Sequence, residues 1–431
     1  MSSARLRFYR GLSGNEGEFS CGGNSLLENR GHSNGVNRRK EFGKMRVLCL
    51  GGAGKICREA ALDLVEFSNF EKITIGDFNQ KAGREVVQWL HDPRVDFKKV
   101  DVKKKKETVK LMRDYDIVMD GTTISLNGLS TACIAEAGCH GINLNGFGEE
   151  YQYDQRFKRH GKTHVPGFGM TPGTTDMMVK HAADQMDTVE IVRVSHGAFR
   201  PIAFSASITE TTTYEYDPDL PGRVVYEDGK FIQVPPFARP KEIELPQPYG
   251  THPQYIIPHA ETKTVAQYLS NKGVKLIEVR GTWPPKNMQL IKALYDWGFM
   301  RNDKVKVGDV KVKIMDAIGS YLMQASEGQT TDLYGYSLHV EVIGIRSGKK
   351  VQHILTHTHP ASDGSVKGWE KLRAYTRCVG IPMAIGTQIL ASGKVNAKGV
   401  IIPELAFDSS EVFKELEKRK IFIHEKITPL T

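Results

Sequence analysis

The chain has 431 residues, 40% hydrophobic and 25% charged, which is enough apolar mass for two or three domains and excludes a fibrous or wholly disordered protein. No apolar run reaches the ~18 residues that a helical membrane span requires, so no membrane-spanning helix is expected. The net charge of +9 does not indicate a nucleic-acid partner: residues 1–44 hold eight Lys/Arg against four Glu, which leaves +5 for the remaining 387 residues, and the one dense basic run, Lys103 to Lys106, opens an amphipathic stretch.

Residues 11–44 are rich in Gly, Ser and Asn without hydrophobic periodicity, so residues 1–44 read as a disordered extension. Arg5, Arg7 and Arg10, with no acid among the first fifteen residues, fit an organelle transit peptide; an extension ahead of a start at Met45 fits equally well. The six cysteines form no Cys-x-x-Cys, and Cys49, Cys133 and Cys378 lie in apolar segments. That usage suits reduced packing residues in a cytoplasmic protein, with neither a disulfide framework nor a metal.

The folded pattern begins at Met45. Arg46–Leu50 reads as a strand, Gly51-Gly52-Ala53-Gly54-Lys55-Ile56-Cys57 as a turn, and Ile56, Ala60, Ala61, Leu64 and Val65 recur at helical spacing. In the dinucleotide fingerprint, Gly52 makes the tight turn and Gly54 lets the backbone amides of a helix start approach a pyrophosphate. Cys57 takes the third glycine position, which calls for a helix set slightly further from the sheet. A second strand, Lys72–Ile75, leads to Asp77, at the spacing where a carboxylate accepts from adenosine-ribose hydroxyls. Asp77 favours NAD over NADP, because it would repel a 2′-phosphate; the alternative is that Asp77 caps the helix Gln80–Leu90.

The alternation continues with strands at Val95–Val100, Asp116–Asp120, Gly141–Leu144 and Thr163–Pro166 and helices near 107–113, 127–138, 152–160 and 176–186. Strict β/α alternation predicts a doubly wound parallel sheet of Rossmann type over residues 45–187. Ligands bind at the carboxyl ends of its strands, which brings the Gly52 to Ile56 turn, Asp77, Asp101, Val102, Thr122 and Thr123 to one edge as a NAD site. From Thr188 the rhythm becomes strand-like with hairpin turns at Asp228-Gly229 and Ser347-Gly348, followed by a helical stretch Trp369–Leu390 interrupted at Pro382. His353, His357 and His359 alternate along a strand, but no Cys or carboxylate stands at a matching spacing for a metal.

The glycine turn, Gly169-x-x-Pro172-Gly173 at a helix start, Gly399-Val400-Ile401-Ile402-Pro403-Glu404 and Phe413-Lys414-Glu415-Leu416 resemble the saccharopine dehydrogenase family, and its lysine 6-dehydrogenase-like branch in particular, over residues 45–426. The resemblance implies an inserted α+β substrate and oligomerisation domain, mostly antiparallel sheet, over 188–364, a helical segment 365–431 returning to the nucleotide domain, and a homodimer. It also implies an NAD-dependent oxidoreductase acting on the CH–NH group of a basic amino acid or an amine adduct of one. A strand at Thr209–Glu215 would face the substrate, and Glu215 would receive an ammonium. Arg280, which ends the strand Lys275–Val279, suits a carboxylate grip, with Arg193, Arg200 and Arg239 as substitutes. Hydride release needs a free amine, so a general base is required, and His259 or Glu261 fills that role. The bland alternatives are an ion pair for Arg280 and helix capping for His259 and Glu261. Two other functions stay open: a reductase condensing an amine with an aldehyde or keto acid, and a catalytically silent NAD-binding protein.

Overall fold

The computed structural model describes residues 45–220, 222–301, 303–324 and 332–431; the expectations for residues 1–44 lie outside the described residues. The chain alternates strictly at first: β1 (Arg46–Leu50), α1 (Cys57–Phe67), β2 (Lys72–Asp77), α2 (Gln80–Leu90), β3 (Val95–Lys99), α3 (Lys105–Met112), β4 (Ile117–Asp120), α4 (Asn127–Ala137), β5 (His140–Asn143), α5 (Asp154–Arg159), β6 (Thr163–Val165) and α6 (Thr174–Asp184). It then crosses to a second sheet through β7 (Thr188–Phe199), α7 (Ala206–Tyr216), β8 (Val224–Glu227), β9 (Lys230–Gln233), β10 (Lys241–Leu245), β11 (Gly250–Ile256), α8 (Glu261–Tyr268), β12 (Leu276–Thr282) and α9 (Pro285–Asp296). The small hairpin β13 (Lys304–Val307) and β14 (Val310–Lys313), α10 (Ile314–Gln324), β15 (Gly335–Arg346) and β16 (Lys349–Thr358) follow. The last elements are α11 (Leu372–Ala391), β17 (Gly399–Val400), α12 (Pro403–Ala406), α13 (Ser409–Lys418) and β18 (Phe422–Pro429).

Seven parallel strands run in the order β17-β6-β5-β4-β1-β2-β3. This is the doubly wound sheet. Its central strands are buried on both faces, which is why Val47 to Leu50 and Ile117 to Asp120 read as unbroken runs and not as alternation. The order reverses between β1 and β4, so the crevice at their carboxyl ends is the place for a ligand. The second sheet has nine strands on the path β10-β11-β12-β7-β15-β16-β18, with β8 and β9 to one side, and only β12 and β7 pair in parallel.

Three elements differ from expectation. Residues 206–216 form a helix and not a strand: Ser205 caps it by accepting from Ile208 N, and Thr209, Thr211, Thr212 and Thr213 each donate a hydroxyl to the carbonyl four residues back. The β-branched composition that suggests a strand is overridden by the cap and by these local bonds. Helix α11 runs through Pro382 without interruption, because it is buried on nearly every side and its packing outweighs one lost backbone bond. The segment after 365 is not only helical: β17 joins the parallel sheet and β18 the antiparallel one. No helix among the described residues is long and apolar enough to cross a membrane.

Candidate active site

A cavity of about 490 Å³ opens at the carboxyl ends of β1, β2, β3 and β4 and continues under the second sheet. On the nucleotide side it is lined by Gly51, Gly54, Lys55 and Ile56 of the turn, by Asp77, Asp101 and Val102, and by Thr122 and Thr123. Gly52 and Ala53 shape the turn without lining the cavity. A Cβ on Gly52 would come within 2.6 Å of the Cys49 carbonyl, so only glycine fits there. Cys57 needs no outward shift of α1. Room for its side chain comes from Gly121 at the end of β4, where a Cβ would stand 2.9 Å from that of Cys57.

Asp77 accepts from Ala53 N at 3.1 Å and from Asn79 N at 2.9 Å, and the cap of α2 is Asn79, whose side chain accepts from Ala82 N at 3.1 Å. The capping alternative for Asp77 is thereby removed. The amides of Lys55, Ile56 and Cys57 at the start of α1 have no backbone acceptor among the described residues. Free amides at a helix start, a carboxylate at the end of the next strand and a turn that excludes side chains fit a dinucleotide.

On the far side the cavity is lined by His196 and Ala198 of β7 and by Arg200 just past its end, by Ser207, Thr211 and Glu215 of α7, and by His259, Trp283, Tyr336 and Tyr375. His259 Nδ1 donates to Glu261 Oε2 at 3.2 Å, and its Nε2 stands 3.8 Å from Glu215 Oε1. Glu261 is fully buried behind it and also accepts from the hydroxyls of Thr171 at 2.6 Å and Thr175 at 2.9 Å. Burial alone would lower the His259 pKa, but the charges of Glu261 and Glu215 outweigh it and hold the imidazole protonated well above the usual histidine range. Burial would likewise raise Glu261, and the His259 charge with its hydrogen bond drives it down. His196, whose ring centroid lies 5.5 Å from that of His259, is pushed down to about 3 by burial and by that charge, so it is neutral.

This arrangement separates the two candidate bases. His259 lines the cavity; Glu261 does not, and it instead accepts from the His259 ring from behind. Behind Glu261 lie two more carboxyls, Asp176 and Glu404, both buried and both raised, first by burial, with the Glu261 charge adding to it. Two neighbouring buried carboxyls favour a protonated form over two charges.

Arg280 is not at the cavity. It is buried on β12, where its guanidinium bonds Glu278 Oε1 at 2.9 Å and the carbonyl of Arg239, so its role is the structural ion pair. Arg193 is paired with Glu341 and Glu278, and Arg239 with Glu227. Of the four arginines only Arg200 lines the cavity.

His353, His357 and His359 do not line it either. The side chain of Cys378, on α11, does join His357 and His359, with ligating atoms within 4.8 Å of one another. Spacing along one strand does not carry this contact, because Cys378 comes from a different element. His357 Nδ1 accepts from Leu338 N at 3.2 Å, His359 Nε2 stands 2.8 Å from the Tyr249 hydroxyl and 3.2 Å from Tyr336 N, and burial pushes the Cys378 thiol up. The thiol is protonated and His357 Nδ1 and His359 Nε2 are engaged elsewhere, while His357 Nε2 has no hydrogen-bond partner among the described residues.

His196, Ala198 and Arg200 recur at period two, and Ser207, Thr211 and Glu215 at period four. Those spacings carry the signal that marks one strand face and one helix face, but the second is legible only once 206–216 is read as a helix.

A parallel dinucleotide-type sheet joined to a mostly antiparallel sheet, with a titratable cluster where they meet, defines a two-domain nicotinamide-dependent oxidoreductase. Residues 47–165 match the saccharopine dehydrogenase NADP binding domain and residues 169–421 the saccharopine dehydrogenase C-terminal domain, and the chain belongs to that family. It is 21% identical over 394 residues to carboxyaminopropylagmatine dehydrogenase of Synechocystis, covering 83% of this chain and 91% of that one. Over 164 residues it is 25% identical to carboxynorspermidine synthase of Vibrio alginolyticus, covering 37% and 38% of the two chains. Apo saccharopine dehydrogenase (L-Glu forming) of Saccharomyces cerevisiae shares the fold, with a TM-score of 0.69 at 14% identity, over 89% of this chain and 100% of that one.

Proposed function

We propose that this protein is an NAD-dependent oxidoreductase acting on the CH–NH group of a basic amino acid or of an amine adduct of one. The observation that carries this reading is His259, clamped between two carboxylates in a cavity continuous with the dinucleotide turn. NAD, when bound, supplies the hydride acceptor. In the oxidative direction the C–H electron pair leaves as hydride, the nitrogen loses a proton and an imine forms; water then adds to give a carbonyl compound and a free amine. The reverse joins amine and carbonyl, loses water, and reduces the imine.

His259 is the group that moves the proton on that nitrogen. Because it rests protonated, it is a general acid at neutral pH, and this favours the reductive, condensing direction. Oxidation needs His259 to give up its proton first, and so gains at higher pH. The relatives named for a carboxyaminopropylagmatine and a carboxynorspermidine support an amine adduct as the product. Asp77 supports NAD over NADP, since its carboxylate faces the cavity and would repel a 2′-phosphate.

The reading extends to a cytoplasmic homodimer. It is supported by the five cysteines among the described residues, all buried and free, and by the edge strand β18, which exposes Phe422 and Ile427. The test is a screen of amines and amino acids for NADH formation, and of amine plus carbonyl pairs for NADH consumption, with purified full-length protein. Turnover that needs an amine, with tighter binding of NAD than of NADP, is the expected result. NAD binding with no turnover of any amine would leave a silent binding protein in its place.

A further inference from the structure

The hairpin of β13 and β14 stands apart from both large sheets. Among the described residues it pairs with no other strand, and none between 297 and 323 lines the cavity. Gly308, at φ 59°, opens its two-residue turn. The register sets Lys304 opposite Lys313, Val305 opposite Val312, Lys306 opposite Lys311 and Val307 opposite Val310. Cross-strand partners and residues two apart share a face, so one face carries four lysines and no acid, and the other carries four valines. Val305, Val307 and Val310 are exposed, as are Phe299 before the hairpin, Tyr321 and Met323 after it, and above all Trp297 at 78%.

That arrangement is unfavourable in water. A lone two-stranded hairpin is marginal by itself, lysines that face each other across the strands repel, and apolar side chains gathered in one exposed segment mark an interaction surface. Whatever covers the ribbon must meet two demands at once, apolar contact for the valines and negative charge for the lysines. A second copy laid valine to valine would leave both lysine pairs without a counter-charge, and a ribbon of eight residues is small beside the ~800 Å² per partner of a stable interface. A nucleic acid would neutralise the lysines and leave the valines in water.

We propose that this hairpin docks on an anionic lipid surface and holds the protein peripherally at a bilayer. An amphipathic element sinks its apolar face ~5–10 Å into the headgroup boundary. The lysines on the opposite face then lie at the level of the lipid phosphates, with their aliphatic stems along the ribbon. Trp297 settles at the same interface, where its ring has an apolar body and a polar edge. This docking does not depend on the proposed C–N chemistry.

The experiment is flotation of purified full-length protein with vesicles of phosphatidylcholine, alone or mixed with phosphatidylglycerol, with tryptophan emission read on the same samples. The protein should float with the mixed vesicles, stay behind with the neutral ones, and come off as salt is raised. Its emission should shift to the blue on binding, and Trp297→Phe should lose most of that shift. Val307→Ser with Val310→Ser should weaken binding by about tenfold or more, and changing Lys304, Lys306, Lys311 and Lys313 together to Gln should abolish it. Residues 1–44 are basic too, with eight Lys/Arg against four Glu. Flotation that survives the lysine change therefore overturns the proposal, as does equal binding to both vesicles or binding to neither. If a variant lowers the melting temperature, Trp297→Phe decides: a full blue shift without Trp297 puts the contact elsewhere and overturns the proposal. Light scattering tests the second copy: a valine variant of lower mass, beside a wild type that floats with no vesicle, makes the valine face a contact between copies instead.

Discussion

The two halves of the cavity are built in different ways. The nucleotide half comes from consecutive strand ends in one parallel sheet, where each ligand-facing residue sits at a fixed offset from the strand before it. The substrate half draws on β7, α7, the approach to α8, the end of β12, β15 and α11, segments that meet only when the second sheet and the long helix close over the first. A local site announces itself in a motif. A site assembled from distant segments announces only its parts.

The sharpest break between the halves is expected at His259. His259→Gln should slow turnover by about a hundredfold to ten-thousandfold, the usual reach of a general acid, while the dissociation constant for NAD stays within twofold of wild type, a figure on the order expected for sites that do not share partners. Loss of NAD binding in that variant would mean that the halves are not separable. The pH profile sharpens the same point. Reduction should hold through neutrality and fall only as pH rises through the raised His259 value, and Glu261→Gln, by removing the first of the two carboxylates, should move that fall to lower pH.

Asp77→Ser probes the other half. It should weaken NAD by about tenfold to a hundredfold, the cost of charge-assisted hydrogen bonds, narrow the gap to NADP, and leave the apparent affinity for the amine in place. Tighter binding of NADP by the wild type, measured by fluorescence titration, would undo the assignment of NAD. Arg280 is the control within the second domain: Arg280→Met should lower the melting temperature, because Glu278 loses one of its buried partners, and change the Michaelis constant for the amine by less than about twofold.

The smallest effect is expected from the carboxyl pair behind Glu261. Glu404 is raised above its unfolded value, so its contribution to stability is full at acid pH and is lost as pH rises past the ordinary carboxylate range toward the folded value. Glu404→Gln keeps the shape of the protonated acid without the titration. Chemical denaturation across that interval should show a flatter pH dependence for the variant, with the folded structure retained. An unchanged slope would mean that Glu404 is not the titrating group.

Sequence reading reached the parallel sheet because hydrophobic runs, glycine turns and strand-end acids are local, and the turn from Gly52 to Ile56, Asp77, Asp101 and Thr122 lie at one edge. His259 and Glu261 are legible as a pair from two residues of separation, but which one faces the cavity depends on Thr171 and Thr175 of another segment. Arg280 misled because it ends a strand, as a ligand-binding residue does; the alternation that aims it away from the cavity is set by its pairing with Ser195 of β7, while His196 and Arg200 point the other way. Glu215 sits in a run of threonines whose strand propensity is outweighed by a cap and four hydroxyl bonds. Cys378 joined two histidines through the fold of α11, which no spacing on β16 could report.

The central step of the proposed function is hydride passing between nicotinamide and a carbon bonded to nitrogen. The most direct measurement is transfer from nicotinamide-deuterated NADH to product, with an amine and a carbonyl acid supplied together and the products analysed by mass spectrometry. Deuterium on the carbon that carries the new C–N bond, and none when the amine is left out, is the predicted result. Deuterium in an alcohol formed from the carbonyl acid alone, or NADH bound but never consumed, would contradict it.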